Sequence, residues 1–153
     1  MKHVIVTGGA QGIGRIIAQA LLKVGYSVSI FDIDNEAMEE IKPQFDKKRS
    51  AFFVTDVSSE VSVRSSVRAS LKKFDGIYGL VNNAVYEVFK PMSELTLEEW
   101  NRAIGTNLTG TFLCAKFSSP HLIESRGSMV NMCSTRAFQS EPDTESYSAS
   151  KGG

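Results

Sequence analysis

The sequence predicts an α/β fold in which helices cover both faces of a parallel sheet. Short apolar runs alternate with longer helical patterns, and glycine, asparagine, aspartate or serine marks each change. Parallel neighbouring strands need right-handed crossover connections, so a repeated strand–helix–strand order produces a doubly wound sheet. No short-period repeat, low-complexity tract or linker interrupts the chain, so residues 1–153 are predicted to form one domain.

Five strands and four helical stretches account for most of the chain. The strands are predicted at HVIV (3–6), SVSIF (27–31), AFFV (51–54), YGLV (78–81) and SMVNM (128–132). The helical patterns cover roughly 12–24, 35–47, 58–74 and 94–125, the last being one helix or two that meet near Gly105. In the third helix Val61, Val67 and Leu71 share one apolar face, as expected of an amphipathic helix that covers a sheet.

The charge composition argues against two classes of partner. Seventeen Lys and Arg balance seventeen Asp and Glu, so no net field would attract nucleic acid or an anionic membrane. The amino terminus meets glycines after only a short apolar run, and no later stretch reaches the length of a membrane span. We therefore expect a cytoplasmic protein whose partner is a small molecule or another protein.

The cysteines and histidines predict no disulfide and no metal site. Cys114 and Cys133 lie in apolar surroundings without ligand-like spacing, so both are expected to be free, buried thiols. His3 is expected at the surface where a strand begins, and His121 on the surface of a helix. Neither histidine has a nearby sequence partner that suggests a catalytic triad or a metal ligand set.

A glycine cluster follows the first predicted strand and opens the first helix, in the run TGGAQGIG. Gly8, Gly12 and Gly14 allow a tight turn, a close approach of the backbone to a pyrophosphate, and close packing of helix on strand. A phosphate would bind at the helix amino terminus, where free N–H groups and the dipole favour negative charge. A turn with a purely structural role is the alternative, but the position between strand and helix favours a dinucleotide site.

An aspartate ends the second predicted strand, in the run IFDID. Asp32 lies 18 residues after Gly14, at the carboxyl edge of the sheet. A carboxylate there accepts hydrogen bonds from both hydroxyls of the adenosine ribose and repels a 2′-phosphate, which favours NAD over NADP. Alternatively, Asp32 or Asp34 only caps the next helix, and Asp34 suits the cap better because the helical pattern begins just after it.

Tyr147 and Lys151 stand four residues apart near the end of the chain, in YSASK. On a helix this spacing puts both side chains on one face, about 5–6 Å apart at Cβ, so that an ammonium lies beside a phenol. A tyrosine with its usual pKa of about 10 is a poor base at neutral pH, but a neighbouring ammonium lowers that pKa. Taken alone, the pair is either a catalytic arrangement or a chance spacing on the surface.

Seven motifs together resemble the short-chain dehydrogenase/reductase family over essentially the whole chain. They occur in the family's order as TGGAQGIG, the aspartate of IFDID, TDVSS, VNNAV, GTNLTGTF, GSMVNMCSTRAF and YSASK, with an interval of 13 from Ser134 to Tyr147. VNNAV departs from the family's NNAG motif because Val85 replaces the glycine. The resemblance implies a Rossmann-like fold, with hydride transfer between a nicotinamide cofactor and a secondary alcohol or ketone.

The resemblance also assigns roles to individual residues. The expected cofactor is NAD, and no metal is expected. The residues expected to bind NAD are Thr7, Gly8, Gly12, Ile13, Gly14, Asp32, Asp56, Val57, Asn83, Ala84, Tyr147 and Lys151. The expected catalytic residues are Asn107, Ser134, Tyr147 and Lys151.

The family's chemistry implies a different task for each catalytic residue. Tyr147 would be the acid and base that exchanges a proton with the substrate oxygen. Lys151 would lower the pKa of Tyr147 and bind the nicotinamide ribose. Ser134 would donate a hydrogen bond to the substrate oxygen, and Asn107 would hold a water molecule through its backbone. Without the resemblance, the residues alone favour a solvated turn hydroxyl for Ser134 and a residue at a helix break for Asn107.

Chain length adds a final expectation. Members of the resembled family usually continue after the lysine through two more strands and a segment that covers the substrate. The resemblance therefore implies that this chain lacks most of the substrate pocket, that its fifth strand is an open edge, and that it turns over poorly by itself. The family usually forms homo-oligomers, which we expect here. The alternative is a catalytically inactive nucleotide-binding fragment or interaction module.

Overall fold

The computed structural model describes residues 2–153, in which five parallel strands form one sheet. The strands are β1 (His3–Thr7), β2 (Ser27–Asp32), β3 (Ser50–Val54), β4 (Gly79–Asn82) and β5 (Ser128–Asn131). Their order across the sheet is β3-β2-β1-β4-β5. Each strand bound lies within about one residue of its prediction, so the doubly wound α/β class and the five strands are confirmed.

Six α-helices flank this sheet within the described residues. They are α1 (Gly12–Lys23), α2 (Asn35–Ile41), α3 (Glu60–Lys73), α4 (Leu97–Ile104), α5 (Gly110–Ser125) and α6 (Glu145–Gly152). The second helix is shorter than predicted, because a 3₁₀ turn over Lys42–Gln44 replaces its last turns. Pro43 explains the change, since proline has no N–H to continue the α-helical hydrogen bonding.

The predicted helix over 94–125 is two helices joined without a loop. Thr96 caps α4 in a capping box with Glu99, which sets the beginning of that helix at Leu97. One π-helical turn, Gly105–Thr109, then connects α4 to α5, so of the two alternatives the structure confirms two helices that meet near Gly105. Such turns widen a helix locally and often occur at functional sites.

Two hydrophobic clusters lie on opposite faces of the sheet, as alternation along the strands requires. Val4 and Val6 of β1 point into the cluster that α1 and α2 cover, whereas Ile5 points into the cluster that α3 and α5 cover. In α3, Val63 and Val67 are buried. Val61 is 67% exposed, so its predicted place on the buried face was wrong.

His3 is buried instead of lying at the surface as predicted. Its Nδ1 contacts the Gly76 carbonyl oxygen at 2.9 Å, and its Nε2 contacts the Ser29 hydroxyl at 2.9 Å. A carbonyl oxygen only accepts hydrogen bonds, so Nδ1 carries the proton and Nε2 accepts. Burial lowers the pKa of His3 to about 4, which keeps the ring neutral at physiological pH.

The two cysteines differ in exposure. Both are free thiols, as predicted, and Cys114 is buried among the side chains between the sheet and α5. Burial raises the pKa of the Cys114 thiol to about 12. Cys133 is exposed, because it follows β5 at the edge of the sheet, so the prediction that it is buried was wrong.

Candidate active site

The order of the strands places a crevice beside β1. Neighbouring β2 and β3 lie on one side of this central strand, and β4 and β5 lie on the other. The connections therefore leave β1 in opposite directions, and doubly wound sheets bind ligands at the carboxyl ends of the strands at such a reversal. The loops after β1, β2, β3 and β4 all reach this crevice.

The glycine loop after β1 needs its glycines for two different reasons. Gly8 and Gly12 adopt positive φ angles of 62° and 49°, a conformation that L-residues rarely adopt. At Gly14 the limitation is space, because a Cβ atom would lie 2.1 Å from the Gly8 carbonyl oxygen. The loop therefore folds tightly onto the beginning of α1, as an anion-binding turn requires.

Thr7 and Asn83 hold the glycine loop against the loop after β4. The Thr7 hydroxyl accepts hydrogen bonds from the backbone N–H of Asn83 at 2.9 Å and of Ala84 at 3.0 Å. The Asn83 side-chain amide donates to the carbonyl oxygens of Thr7 at 3.0 Å and Gly8 at 3.1 Å. These four contacts cross between neighbouring strands, so the two loops form one rigid wall.

The carboxylate of Asp32 is oriented by backbone N–H groups. It accepts from Ala10 at 2.9 Å and from Asp34 at 3.0 Å. Asp34 caps α2 by accepting from Ala37 at 2.9 Å, which confirms that Asp34 is the capping residue. The other Asp34 oxygen accepts from the Gln11 amide at 2.8 Å, so the loops after β1 and β2 are also joined.

These loops line an open cleft with a volume of about 670 Å³. Eight of the predicted cofactor residues lie on its wall: Gly8, Gly12, Ile13, Asp32, Asp56, Val57, Asn83 and Ala84. Thr7 and Gly14 lie behind this wall as its supports, through the contacts described above. Tyr147, Lys151, Ser134 and Asn107 do not line the cleft, so the structure separates the predicted catalytic residues from most of the predicted cofactor residues.

Other residues of the cleft wall were not predicted. They are Gln11, Phe31, Ile33, Asp34, Thr55, Ser58, Val85, Tyr86, Arg102 and Thr106. Arg102 and Thr106 share a face across the junction of α4 and the π turn, and the Arg102 guanidinium lies 4.2 Å from the Tyr86 ring centroid. No sequence motif connects residues 86 and 102, so only the fold reveals this side of the cleft.

Val85 fits where the family motif has glycine. Its φ is not positive, and its side chain is 46% exposed on the cleft wall. The turn therefore forms without glycine, and the change adds an apolar side chain to the cleft.

Asn107 is buried in the π turn and binds two separate segments. Its side-chain oxygen accepts from Tyr86 N–H at 2.8 Å, and its amide donates to the Tyr86 carbonyl at 3.0 Å. The same amide donates to the Ser150 hydroxyl of α6 at 2.8 Å. One side chain thus connects the wall of the cleft to the helix that carries Tyr147 and Lys151.

Lys151 binds the segment that leads to Ser134. Its ammonium donates to the Met132 carbonyl at 2.7 Å and lies 5.7 Å from the Tyr147 ring centroid. Burial lowers the pKa of Lys151, and the nearby Cys133 and Glu87 side chains oppose that shift. The contact with Met132 fixes α6 against the chain two residues before Ser134, whose hydroxyl accepts from Arg136 N–H at 3.2 Å.

Comparison with known proteins identifies the family of the chain. The family model described as short chain dehydrogenase matches residues 2–153, and the chain belongs to that family. A Thermotoga maritima protein known only as an uncharacterized oxidoreductase is 45% identical over 99% of this chain and 60% of its own length. The chain thus spans about 60% of this relative.

Two solved structures share the fold closely. The 3-ketoacyl-(acyl-carrier-protein) reductase of Brucella melitensis, in complex with NADH, matches with a TM-score of 0.92 and 28% identity, over 99% of this chain and 64% of its own. The alcohol dehydrogenase of Thermococcus sibiricus, in complex with 5-hydroxy-NADP, matches with a TM-score of 0.93 and 27% identity, over 99% and 66%. The five-stranded sheet with its flanking helices is therefore the Rossmann-like core of this oxidoreductase family.

No helix among residues 2–153 is both long and apolar enough to cross a membrane.

Proposed function

We propose that the protein is an NAD(H)-dependent oxidoreductase that interconverts a secondary alcohol and a ketone, with Tyr147 as the acid and base. One observation carries the proposal: Lys151 is anchored on Met132 and holds its ammonium 5.7 Å from the Tyr147 ring. A fixed positive charge near a phenol stabilises the negative charge that the oxygen acquires as it gives up its proton, so this arrangement suits general acid–base catalysis. Membership of the short chain dehydrogenase family supports the reaction class.

A nicotinamide dinucleotide fits the glycine loop and the cleft. Gly14 lets the loop pack closely on the beginning of α1, and a Cβ at Gly12 would meet no atom within 4 Å, so the cleft is open for a pyrophosphate at the amino end of α1. Val57 and Asp56 would contact the adenine, and Asn83 and Ala84 the central part of the cofactor. Bound in this way, the cofactor supplies a hydride acceptor or donor.

Asp32 supports the preference for NAD over NADP. Its carboxylate is held at the cleft wall by two backbone N–H groups, where it would bind the adenosine ribose and repel a 2′-phosphate. Asp34 adds a second carboxylate to the same wall. Since the structural relatives bind NADH in one case and 5-hydroxy-NADP in the other, the preference rests on these two side chains.

The chain's own groups account for the proton transfer. Tyr147 would take the hydroxyl proton as the alcohol is oxidised and return it in the reverse direction. Ser134 would hold the substrate oxygen against the phenol by donating a hydrogen bond. The backbone carbonyl of Asn107, which accepts from the Thr111 hydroxyl at 2.8 Å, would hold a water on the path from Lys151 to solvent.

Calorimetric titration with NADH and NADPH tests the cofactor assignment. We expect the wild-type protein to bind NADH at least about tenfold more tightly than NADPH, a difference of about 1.4 kcal/mol. Asp32→Ser should reduce the difference because it removes the repulsion of the 2′-phosphate. Tighter binding of NADPH by the wild-type protein would contradict the assignment.

Replacing the base tests the catalytic assignment. In the full-length protein, Tyr147→Phe should reduce turnover by at least about a hundredfold, the size of a general acid–base contribution, while the affinity for NADH stays close to that of the wild type. The control is Tyr26→Phe, because Tyr26 directly precedes β2 and so lies at the end of the strands opposite the cleft. Unchanged turnover in Tyr147→Phe would remove tyrosine from its assigned role.

A second candidate function is nucleotide binding without catalysis. The observation that favours it is that the loops after β1, β2, β3 and β4 line the cleft, whereas Ser134, Tyr147 and Lys151 do not. In this case NADH would bind, and the full-length protein would reduce no ketone in its presence.

A further inference from the structure

The chain between Ser134 and Tyr147 forms contacts within itself that neither residue's proposed chemistry requires. Residues 135–146 begin with a 3₁₀ turn, Thr135–Ala137, continue as irregular chain to Thr144 and end in the first two residues of α6. Arg136 and Glu141 make an ion pair across this segment, with side chains 23% and 56% exposed. The Arg136 guanidinium also donates to the Gln139 carbonyl at 3.5 Å.

Thr144 continues these contacts in the buried part of the segment. It is 4% exposed, and its hydroxyl donates to the Glu141 carbonyl at 2.6 Å and accepts from the Glu141 N–H at 3.2 Å. The hydroxyl also lies 3.0 Å from that of Ser148 in α6. Both polar groups of the Glu141 backbone are therefore held by one side chain.

The Thr144 hydroxyl does not form the contact that its position before a helix would predict. Thr144 immediately precedes α6, where a threonine usually accepts a hydrogen bond from an N–H of the first helical turn. Here it makes no such cap. Such a cap usually stabilises a helix by about 1 kcal/mol. Helix α6 lacks this stabilisation, because the Thr144 hydroxyl binds the Glu141 backbone instead.

The contacts form a continuous path from one proposed catalytic residue to the other. At one end Arg136 N–H donates to the Ser134 hydroxyl at 3.2 Å. At the other end the Thr144 carbonyl accepts from Ser148 N–H at 2.7 Å, next to Tyr147. The side chains of Arg136, Glu141 and Thr144 close the middle of this path.

We propose that Arg136, Glu141 and Thr144 are positioning residues, which hold Ser134 opposite Tyr147 across the intervening segment. The inference rests on the proposed function, since it assigns those two residues to the same substrate oxygen. Small errors in alignment reduce catalysis strongly, because a reacting group must be held near its productive geometry. A segment of twelve residues without these contacts would lose that alignment through its own mobility.

An alternative role for Arg136 is recognition of an anionic group on the substrate. Glu141 already neutralises the guanidinium in the structure. An anionic substrate would have to displace Glu141, whereas a positioning role uses the ion pair as it stands. The two roles differ in kinetics: loss of a substrate contact raises KM, and loss of alignment lowers kcat.

Amide hydrogen exchange on the full-length protein tests the proposal without any substrate. Arg136→Gln, Glu141→Gln and Thr144→Val should each increase exchange in residues 135–146, by about two- to fivefold for the ion-pair variants, as expected for an exposed pair. The exchanged pair, Arg136→Glu with Glu141→Arg, should restore protection. Lys116→Gln, which breaks the ion pair with Glu60 between α5 and α3, is the matched control and should leave the segment unchanged.

Steady-state kinetics of the same variants provide the second measurement. We expect kcat to fall about two- to fivefold in the ion-pair variants and about tenfold in Thr144→Val, with KM unchanged and with recovery in the exchanged pair. Exchange that stays at the wild-type rate in all three single variants would overturn the proposal, and so would a rise in KM at constant kcat. A wild-type protein without any turnover would remove the proposed function, while the exchange data would still report on the segment.

Discussion

At the level of single residues, the cleft depends on positions where not even one methyl group fits. Gly14 lies so close to the Gly8 carbonyl that the glycine is required by space, whereas Gly8 and Gly12 are required by backbone conformation. The sequence pattern predicted all three glycines without distinguishing these reasons. Backbone angles and distances across the loop exist only in the folded chain.

Gly14→Ala should weaken NADH binding by at least about tenfold and lower the melting temperature. The added Cβ would meet the Gly8 carbonyl at 2.1 Å and the Asn83 amide at 2.5 Å, and forcing atoms into a packed site typically costs about 1–3 kcal/mol. Calorimetry and thermal unfolding measure the two effects. Gly152→Ala is the control, because its Cβ would lie 3.7 Å from the nearest atom; equal effects in both variants would contradict the steric explanation.

His3 should make the protein less stable as the pH falls from about 6.5 to 4. Its pKa is about 4 in the folded protein and near 6.5 when unfolded, so the unfolded chain binds more protons in this range. The stability contributed by neutral His3 is complete above the unfolded pKa, and about 3 kcal/mol is lost towards pH 4. Urea unfolding at several pH values measures the slope.

Two variants isolate the effect of His3 from that of the carboxylates. His3→Gln should flatten the dependence on pH between 6.5 and 5, because a neutral amide does not titrate. His121→Gln should leave the wild-type slope, since His121 lies on α5 and is not one of the residues that hydrogen-bond with His3. A His3→Gln slope equal to that of the wild type would show that the buried imidazole is not the cause.

At the level of secondary-structure elements, the π turn between α4 and α5 determines the orientation of Asn107. The sequence predicted a helix break near Gly105 but not that the chain would continue as one widened turn. This geometry directs the Asn107 side chain inward, to Tyr86 on one side and Ser150 on the other. Spacing along the chain cannot predict contacts between residues that are 21 and 43 positions apart.

Asn107→Ala should lower the free energy of unfolding by about 1–3 kcal/mol, because it removes the three hydrogen bonds by which the buried Asn107 side chain binds the Tyr86 backbone and the Ser150 hydroxyl. Exchange protection in α6 should fall as well, since the link from the cleft wall is lost. Urea unfolding and amide exchange measure the two effects. Asn101→Ala, on the exposed side of α4, is the control and should cost no stability, since alanine favours a helix more than asparagine does; a similar loss in that variant would contradict the explanation through the Asn107 contacts.

At the level of the whole molecule, the two edge strands of the sheet differ in how much of their length is exposed. The parallel order places β3 at one edge and β5 at the other, and most of β5 is exposed. The sequence predicted that the fifth strand would be an open edge, and the structure confirms it. An exposed edge presents unpaired N–H and C=O groups that another strand can bind.

Val130→Lys should reduce self-association of the 153-residue polypeptide. Val130 is 53% exposed on β5, and a lysine on an edge strand opposes pairing with a second chain. Sedimentation velocity over a range of protein concentrations measures the change. Val54→Lys on β3, where the valine is 57% exposed, is the matched control for the other edge. Equal effects in both variants would show that β5 has no special part in association.

The sequence by itself determined the order of strands and helices along the chain, the glycine loop, the acidic end of β2 and the spacing from Ser134 to Tyr147. All of these are local patterns, since they depend on residues close together in the chain. Tertiary structure alone decided that His3 is buried, that Cys133 is exposed, that Arg102 and Tyr86 close one side of the cleft, and that Arg136 pairs with Glu141. The physical reason is that burial and side-chain contacts depend on which strands become neighbours and on how the loops pack against the sheet. The hydrophobic periodicity of a single segment predicts neither of these.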